Sequence, residues 1–212
     1  MEDRSLVNSH RHLPHIDIRG VMQFITWRCA DSLPLGDLER ICMETESLPD
    51  LERTKERASR IEKVLDLGHG KCPLAPNRHG VILRDIMLNL DGDLMDLHDW
   101  VIMPNHVHVL MTVRPGHTLS ETMQRIKGAS ARAINQQMGT AGSLWQQESF
   151  DRFMRDDEQA SRVAYYIRYN PVKAKLVDAA EAWPLSSARR AGPHFVRESR
   201  APYGDEFDPF LD

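Results

Sequence analysis

Apolar positions recur along the chain with the two periods that separate strands from helices. Residues 21–29, VMQFITWRC, are rich in β-branched and aromatic side chains and predict a first strand, closed by Pro34 and Gly36. Residues 38–67 are highly charged, with apolar positions near helical spacing interrupted at Pro49, and this predicts a short helix followed by a longer one. The glycines and prolines of residues 68–80 predict a loop. Residues 81–90 suit a helix running into an Asp-Gly-Asp turn, and residues 97–103 and 106–113 read as the second and third strands. Only Pro104 and Asn105 separate those two strands, so they are expected to pair antiparallel.

Thr118 and Glu121 have capping-box spacing, and Leu119, Met123, Ile126, Ile134 and Met138 follow as an apolar stripe that ends near Gly139. Residues 144–153, LWQQESFDRF, predict a fourth strand. Asp156 or Asp157 is suited to cap a helix through Val163 and Ile167. Asn170-Pro171 is expected to disturb that helix, because a residue before proline avoids helical geometry. The order is β-α-β-β-α-β with one more helix, which is the α+β, split ferredoxin-like arrangement. Residues 1–20 read as a polar lead, 21–178 as the folded domain with a helical insertion and loop over 38–80, and 179–212 as an irregular tail.

Composition narrows the picture only in part. The 212 residues, 41% hydrophobic and 27% charged, suffice for one domain with a real core. The net charge of -4 gives no global argument for nucleic-acid binding, so any basic surface must be local. Cys29, Cys42 and Cys72 include no close pair, which argues against a disulfide framework and against a cysteine zinc site. There is no signal-peptide pattern and no apolar run near the roughly 18 residues of a membrane span, so a soluble cytoplasmic protein is expected.

Candidate chemistry centres on MPNHVHVLM, residues 103–111. His106 and His108 are two apart on a strand and therefore share one face, with backbones about 6.5 to 7 Å apart, while Val107, Val109 and Met111 line the other. Two imidazoles plus an oxygen ligand suit Mg²⁺ or Mn²⁺ acting on a phosphodiester, although a half-open strand face also tolerates two histidines that bind nothing. In YYIRYNP, Tyr166 and Asn170 are four apart and lie on one helix face. A tyrosine phenol can attack phosphorus, but Tyr165, Tyr166 and Tyr169 can equally be packing residues, and Asn170 a helix end. Arg125, Lys127, Arg132, Trp145, Arg152 and Arg155 interleave charge with an aromatic, as a site for single-stranded nucleic acid would; solvated helix faces carry such residues too.

The blocks LHDWVIMPNHVHVLM, IKGASARAIN, LWQQESFDRFMRD, YYIRYNPVKAKLV and WPLSSA, taken in order over about residues 21–188, resemble the REP-associated tyrosine transposases, relatives of the single-strand HUH transposases of insertion sequences. The resemblance implies an HUH nuclease fold, with His106 and His108 as the metal-binding pair, Tyr166 as nucleophile and Asn170 as a further metal ligand. It also implies nicking and strand transfer at hairpins of palindromic repeats through a 5′-phosphotyrosine, in a bacterial, nucleoid-associated protein acting as monomer or dimer. Arg189, Arg190, Arg197 and Arg200 are expected to supply a modest basic patch, and the charged stretch of residues 38–67 lies outside the motif blocks with no role assigned. Two other readings stay open: a non-catalytic DNA- or RNA-binding regulator of palindromic repeats, and a metal-dependent hydrolase that uses water.

Overall fold

A computed structural model describes residues 20–76, 78–189 and 207–211. Its strands are β1 (Met22–Arg28), β2 (Met95–Ile102), β3 (His106–Val113) and β4 (Phe150–Phe153), joined in one sheet of order β2-β3-β1-β4 with every pairing antiparallel. The helices are α1 (Leu35–Thr45), α2 (Asp50–Leu65), α3 (Gly80–Leu90), α4 (Leu119–Met138) and α5 (Asp157–Lys173). With α3 and α4 as the two crossovers, this is the expected β-α-β-β-α-β core, and α1–α2 is inserted between β1 and α3.

Register places the side chains. Thr26 pairs with His108, Phe24 with Leu110 and Arg28 with His106, so these share one face, while Ile25, Trp27, Val107, Val109 and Met111 share the other. The second face is covered from α4. Trp27 meets Trp145 edge-on at 6.2 Å, and the Trp145 indole N–H donates to Ser130 Oγ and Lys127 O of α4 at 3.0 and 3.1 Å. The first face is covered by α5, whose Tyr166 ring stands edge-on to Phe24 and to His108. Seven of the eight β3 residues are therefore buried, and the histidine face, expected to be half open, is closed.

Several boundaries follow from local chemistry. The Thr118 capping box forms, with Thr118 Oγ1 accepting from Glu121 N, and Gly139 ends α4 at φ 62°, where a side chain would be strained. Gly80 opens α3 against Leu74 O and Leu185 Cδ1, leaving no room for a Cβ. β2 bulges between Leu97 and Asp99, which leaves His98 exposed.

Two expectations change. The fourth strand is confined to Phe150–Phe153: Trp145 still bridges Cys29 and Gln146 N donates to Arg28 O at 2.9 Å, but Lys127 Nζ takes Gln146 O and Gln147 O at 2.8 and 2.9 Å, and the ladder is interrupted before Phe150. Pro171 does not end α5, which runs on to Lys173. The missing proline N–H costs one bond near the end of the helix, and Ala174 N still reaches Asn170 O at 2.9 Å. Downstream, Trp183 Nε1 donates to Ile102 O, Ile102 N donates to Leu185 O, and Val101 bridges to Ser186, so this part of the tail covers the β2 edge. Arg190, Arg197 and Arg200 lie outside the described residues. Among the described residues no helix is long and apolar enough to cross a membrane.

Candidate active site

The turn that joins β2 to β3 does more than reverse the chain. Asn105 is fully buried, and its Nδ2 donates to His69 O and Leu65 O at 3.0 and 3.3 Å. That fixes its amide so that Oδ1 accepts from His106 Nδ1 at 2.7 Å. The proton on Nδ1 leaves Nε2 of His106 with a free lone pair, and this buried nitrogen has no hydrogen-bond partner. His108 is held in the same way from its far side, with Nδ1 2.8 Å from Thr26 Oγ1 on β1 and its ring stacked on Phe24.

Helix α5 supplies the other two expected residues. Arg168 orients it by a bidentate pair to Asp99 of β2, at 2.6 and 2.8 Å, and Ser187 Oγ donates to the same carboxylate at 2.9 Å. With that face of α5 fixed on β2, Tyr166 and Asn170 point together toward the histidines. Asn170 Nδ2 lies 3.3 Å from His108 Nε2, and its Oδ1 is buried without a partner. His106, His108, Tyr166 and Asn170 thus converge.

A fifth residue sits at their centre and was not foreseen. Glu62, from the inserted helix α2, is 2% exposed, and its Oε1 lies 2.8 Å from His108 Nε2 and 3.5 Å from His106 Nε2. The same oxygen accepts from the Tyr166 hydroxyl at 2.7 Å and from Asn170 Nδ2 at 3.2 Å, while Oε2 has no partner. Nothing in the ERTKERASRIEKVL run distinguishes Glu62 from its solvated neighbours, because a charged helix reads alike whichever carboxylate turns inward.

Electrostatics follow from burial. Burial raises the Glu62 carboxyl, but His108 and His106 outweigh it and hold the group well below the usual carboxylate range. Burial pushes His108 down, against the pull of Glu62. Tyr166 is pushed well above the usual phenol value by burial, and further by Glu62 and Asp66. Ligand atoms of Glu62, His106 and His108 all lie within 4.8 Å of one another, so this buried group could bind a metal ion. The orphaned His106 Nε2, Glu62 Oε2 and Asn170 Oδ1 fit that use, being buried polar atoms with nothing else to satisfy them.

Asp66, one turn beyond Glu62, carries a testable consequence. Burial and the Glu62 charge raise its carboxyl to about 6, while Lys173, 3.5 Å away, opposes the shift. Folding therefore favours the protonated acid, so stability is greatest below the unfolded value and falls as pH rises toward about 6. Replacing Asp66 with Asn is expected to stabilise the protein by about 2 kcal/mol at pH 7 and by little at pH 4, as read from urea unfolding at the two pH values. Equal gains at both would remove the explanation.

The residues proposed for nucleic acid divide. Trp145 is buried in the core and offers no face to a base, and Lys127, half-buried and lowered to about 8 by desolvation, braces the loop after α4. Arg125 and Arg132 are exposed on α4, the helix that covers the opposite face of the sheet. Arg152 lies on the site's side, paired with Phe24 and with its Nη1 donating to Pro209 O at 2.9 Å, while Arg155 is exposed in the turn before α5, where its N donates to Gln159 Oε1. Trp145→Ala is accordingly expected to cost about 3–5 kcal/mol in chemical denaturation, as a core deletion does. Unaltered stability would return the indole to the binding surface.

Comparison with known proteins accords with this geometry. The family described as "Transposase IS200 like" matches residues 78–170, which contain both histidines, Tyr166 and Asn170 but not Glu62. A Haemophilus influenzae protein provisionally assigned to the REP-associated tyrosine transposases is 30% identical over 99 residues, 42% of this chain and 56% of that relative. The REP-associated tyrosine transposase of Escherichia coli is 25% identical over 111 residues, 51% of this chain and 64% of that one. The chain thus spans under two thirds of the length of either relative. The structure of a REP-associated tyrosine transposase bound to a REP hairpin superposes with a TM-score of 0.54 at 18% identity, covering 84% of this chain and 83% of that one, a likeness of fold. The family match, both relatives and the shared fold bear out the resemblance of this chain to the REP-associated tyrosine transposases.

Proposed function

We propose that the protein nicks single-stranded DNA beside palindromic hairpins and transfers the strand through a 5′-phosphotyrosine on Tyr166. The observation that carries this reading is the convergence of the Tyr166 hydroxyl with His106 Nε2, His108 Nε2 and Asn170 around one anionic oxygen. His106, His108 and Asn170, with Glu62 in the resting state, would hold Mg²⁺ or Mn²⁺. A divalent ion bound there supplies Lewis-acid polarisation of a phosphate oxygen.

The rest falls to the chain. α5 aims Tyr166 Oη, and Arg152 on the same face of the sheet, with Arg155 just beyond it, would meet phosphates of the strand, while Arg125 and Arg132 would serve only a stem that reaches the α4 side. Oη bonds to phosphorus as the bond from phosphorus to the 3′ oxygen breaks. The phenolic proton passes to solvent, and the departing 3′ oxygen takes one up, leaving a free 3′ hydroxyl.

The test is incubation with single-stranded hairpin oligonucleotides of several stems and flanks plus Mn²⁺ or Mg²⁺, followed by a denaturing gel. A covalent protein-DNA adduct is expected. Cleavage that survives loss of the Tyr166 hydroxyl would instead identify a hydrolase that uses water, and binding without cleavage would identify a regulator.

A further inference from the structure

The site just described is shut. Glu62, His106, His108, Tyr166 and Asn170 are 2%, 0%, 0%, 6% and 0% exposed, so no DNA strand can reach Tyr166 Oη in this conformation. We infer that the α1–α2 hairpin is a lid over the active site, closed by Glu62 standing where a substrate phosphate oxygen would stand, and that DNA must lift it. The inference rests on the nicking reading for its purpose, but its structural content can be tested separately.

The contacts of Glu62 are those of a substrate mimic. One anionic oxygen receives the nucleophile's own hydroxyl, the Asn170 amide and a histidine nitrogen, which are the partners a scissile phosphate would need. While Tyr166 donates to that carboxylate, the phenol is engaged and cannot attack. An incoming phosphodiester offers the same groups an equivalent anionic oxygen, so exchanging one for the other leaves no buried partner unsatisfied.

The hairpin is built to move as a unit. Its two helices are lashed to each other, with Arg57 donating to Thr45 Oγ1 at 2.8 Å and to Glu46 Oε2 at 2.9 Å. Its buried apolar residues Ile41, Val64 and Leu65 stand apart from the continuous core that runs through the sheet, α3, α4 and α5. What fastens α2 over the site is largely polar. Lys55 Nζ donates to Leu211 O at 2.9 Å and Ser59 Oγ donates to Asp208, both on the 207–211 segment, whose Phe210 packs against Phe24 and Tyr166. At the other end of α2 the Asn105 amide holds Leu65 O and His69 O, next to Gly68 and Gly70 at φ 72° and 88°. The pivot therefore lies near residues 66–70 and the latch near residues 55–59. The whole hairpin is outside the family-matched residues 78–170.

The test combines amide hydrogen exchange with the adduct assay, on the full chain and on a Lys55→Ala, Ser59→Ala double variant that touches only the latch. Amides of residues 50–65 are expected to exchange through a local opening faster than those of β1 and β3, and roughly tenfold faster again in the variant, the factor for losing two such hydrogen bonds. Hairpin DNA should speed their exchange further, and the variant should form adduct roughly tenfold faster. Exchange of α2 at the same rate as β1 and β3, in both proteins, would overturn the lid. So would adduct formation with α2 still protected. If neither protein forms adduct but the exchange difference appears, the lid stands and the nicking reading falls.

Discussion

Replacing Tyr166 with Phe is expected to abolish covalent capture of hairpin DNA, by more than about a thousandfold, while leaving the fold intact. The ring would keep its edge-on contacts with Phe24, His108 and Phe210. Only the hydroxyl is lost, and Glu62 Oε1 retains Asn170 Nδ2 and His108 Nε2, so the cost in stability is about 1 kcal/mol. Among the described residues no neighbouring phenol can substitute, since Tyr165 and Tyr169 stack on each other at 4.3 Å on another side of α5. A denaturing gel paired with a thermal melt checks both halves. Adduct persisting at the wild-type level in a folded Tyr166→Phe protein would assign the nucleophile elsewhere.

His106→Ala is expected to remove the divalent-metal requirement together with the activity, lowering adduct formation by at least about a hundredfold. Its Nε2 is the one histidine nitrogen in the cluster with no hydrogen-bond partner, and Asn105 commits the opposite nitrogen to donation. Without the ring, Asn105 Oδ1 is stranded and a cavity opens, which costs about 2–3 kcal/mol even before metal is added. The measurement is the rise in melting temperature on adding Mn²⁺, expected for the parent protein and absent from the variant. His98→Ala, which loses a bond to Thr112 at the exposed bulge, serves as the control with an undiminished rise. An equal rise in His106→Ala would show that the ion binds elsewhere, and the two histidines would return to being buried polar residues of a strand.

These two predictions draw on different depths of legibility. The alternation of MPNHVHVLM sets His106 and His108 on one face by the two-residue period of a strand, and the four-residue interval sets Tyr166 and Asn170 on one face of a helix. The capping box and Gly139 bound α4 by equally local chemistry. Periods and caps are properties of neighbouring residues, which is why β3 and α4 lie where their sequences place them.

Other features answer to distant partners. The LWQQESF segment has strand composition and Trp145 bridges Cys29 of the sheet, yet Lys127 takes the next two carbonyls and interrupts the ladder before Phe150. An indole among basic residues suits base stacking until the fold buries it against α4. Asn170-Pro171 has the local signature of a helix end, and the packing of α5 on the sheet carries the helix past it.

The sequence by itself determined which residues share a face: the histidine pair on β3, and the tyrosine with its asparagine on α5. Only the tertiary structure decided that those two faces meet, that Glu62 of α2 fills the space between them, and that the resulting site is closed. The reason is one of range. Backbone period acts over a few residues, whereas which of many similar carboxylates is worth desolvating depends on histidines and amides brought from elsewhere in the chain.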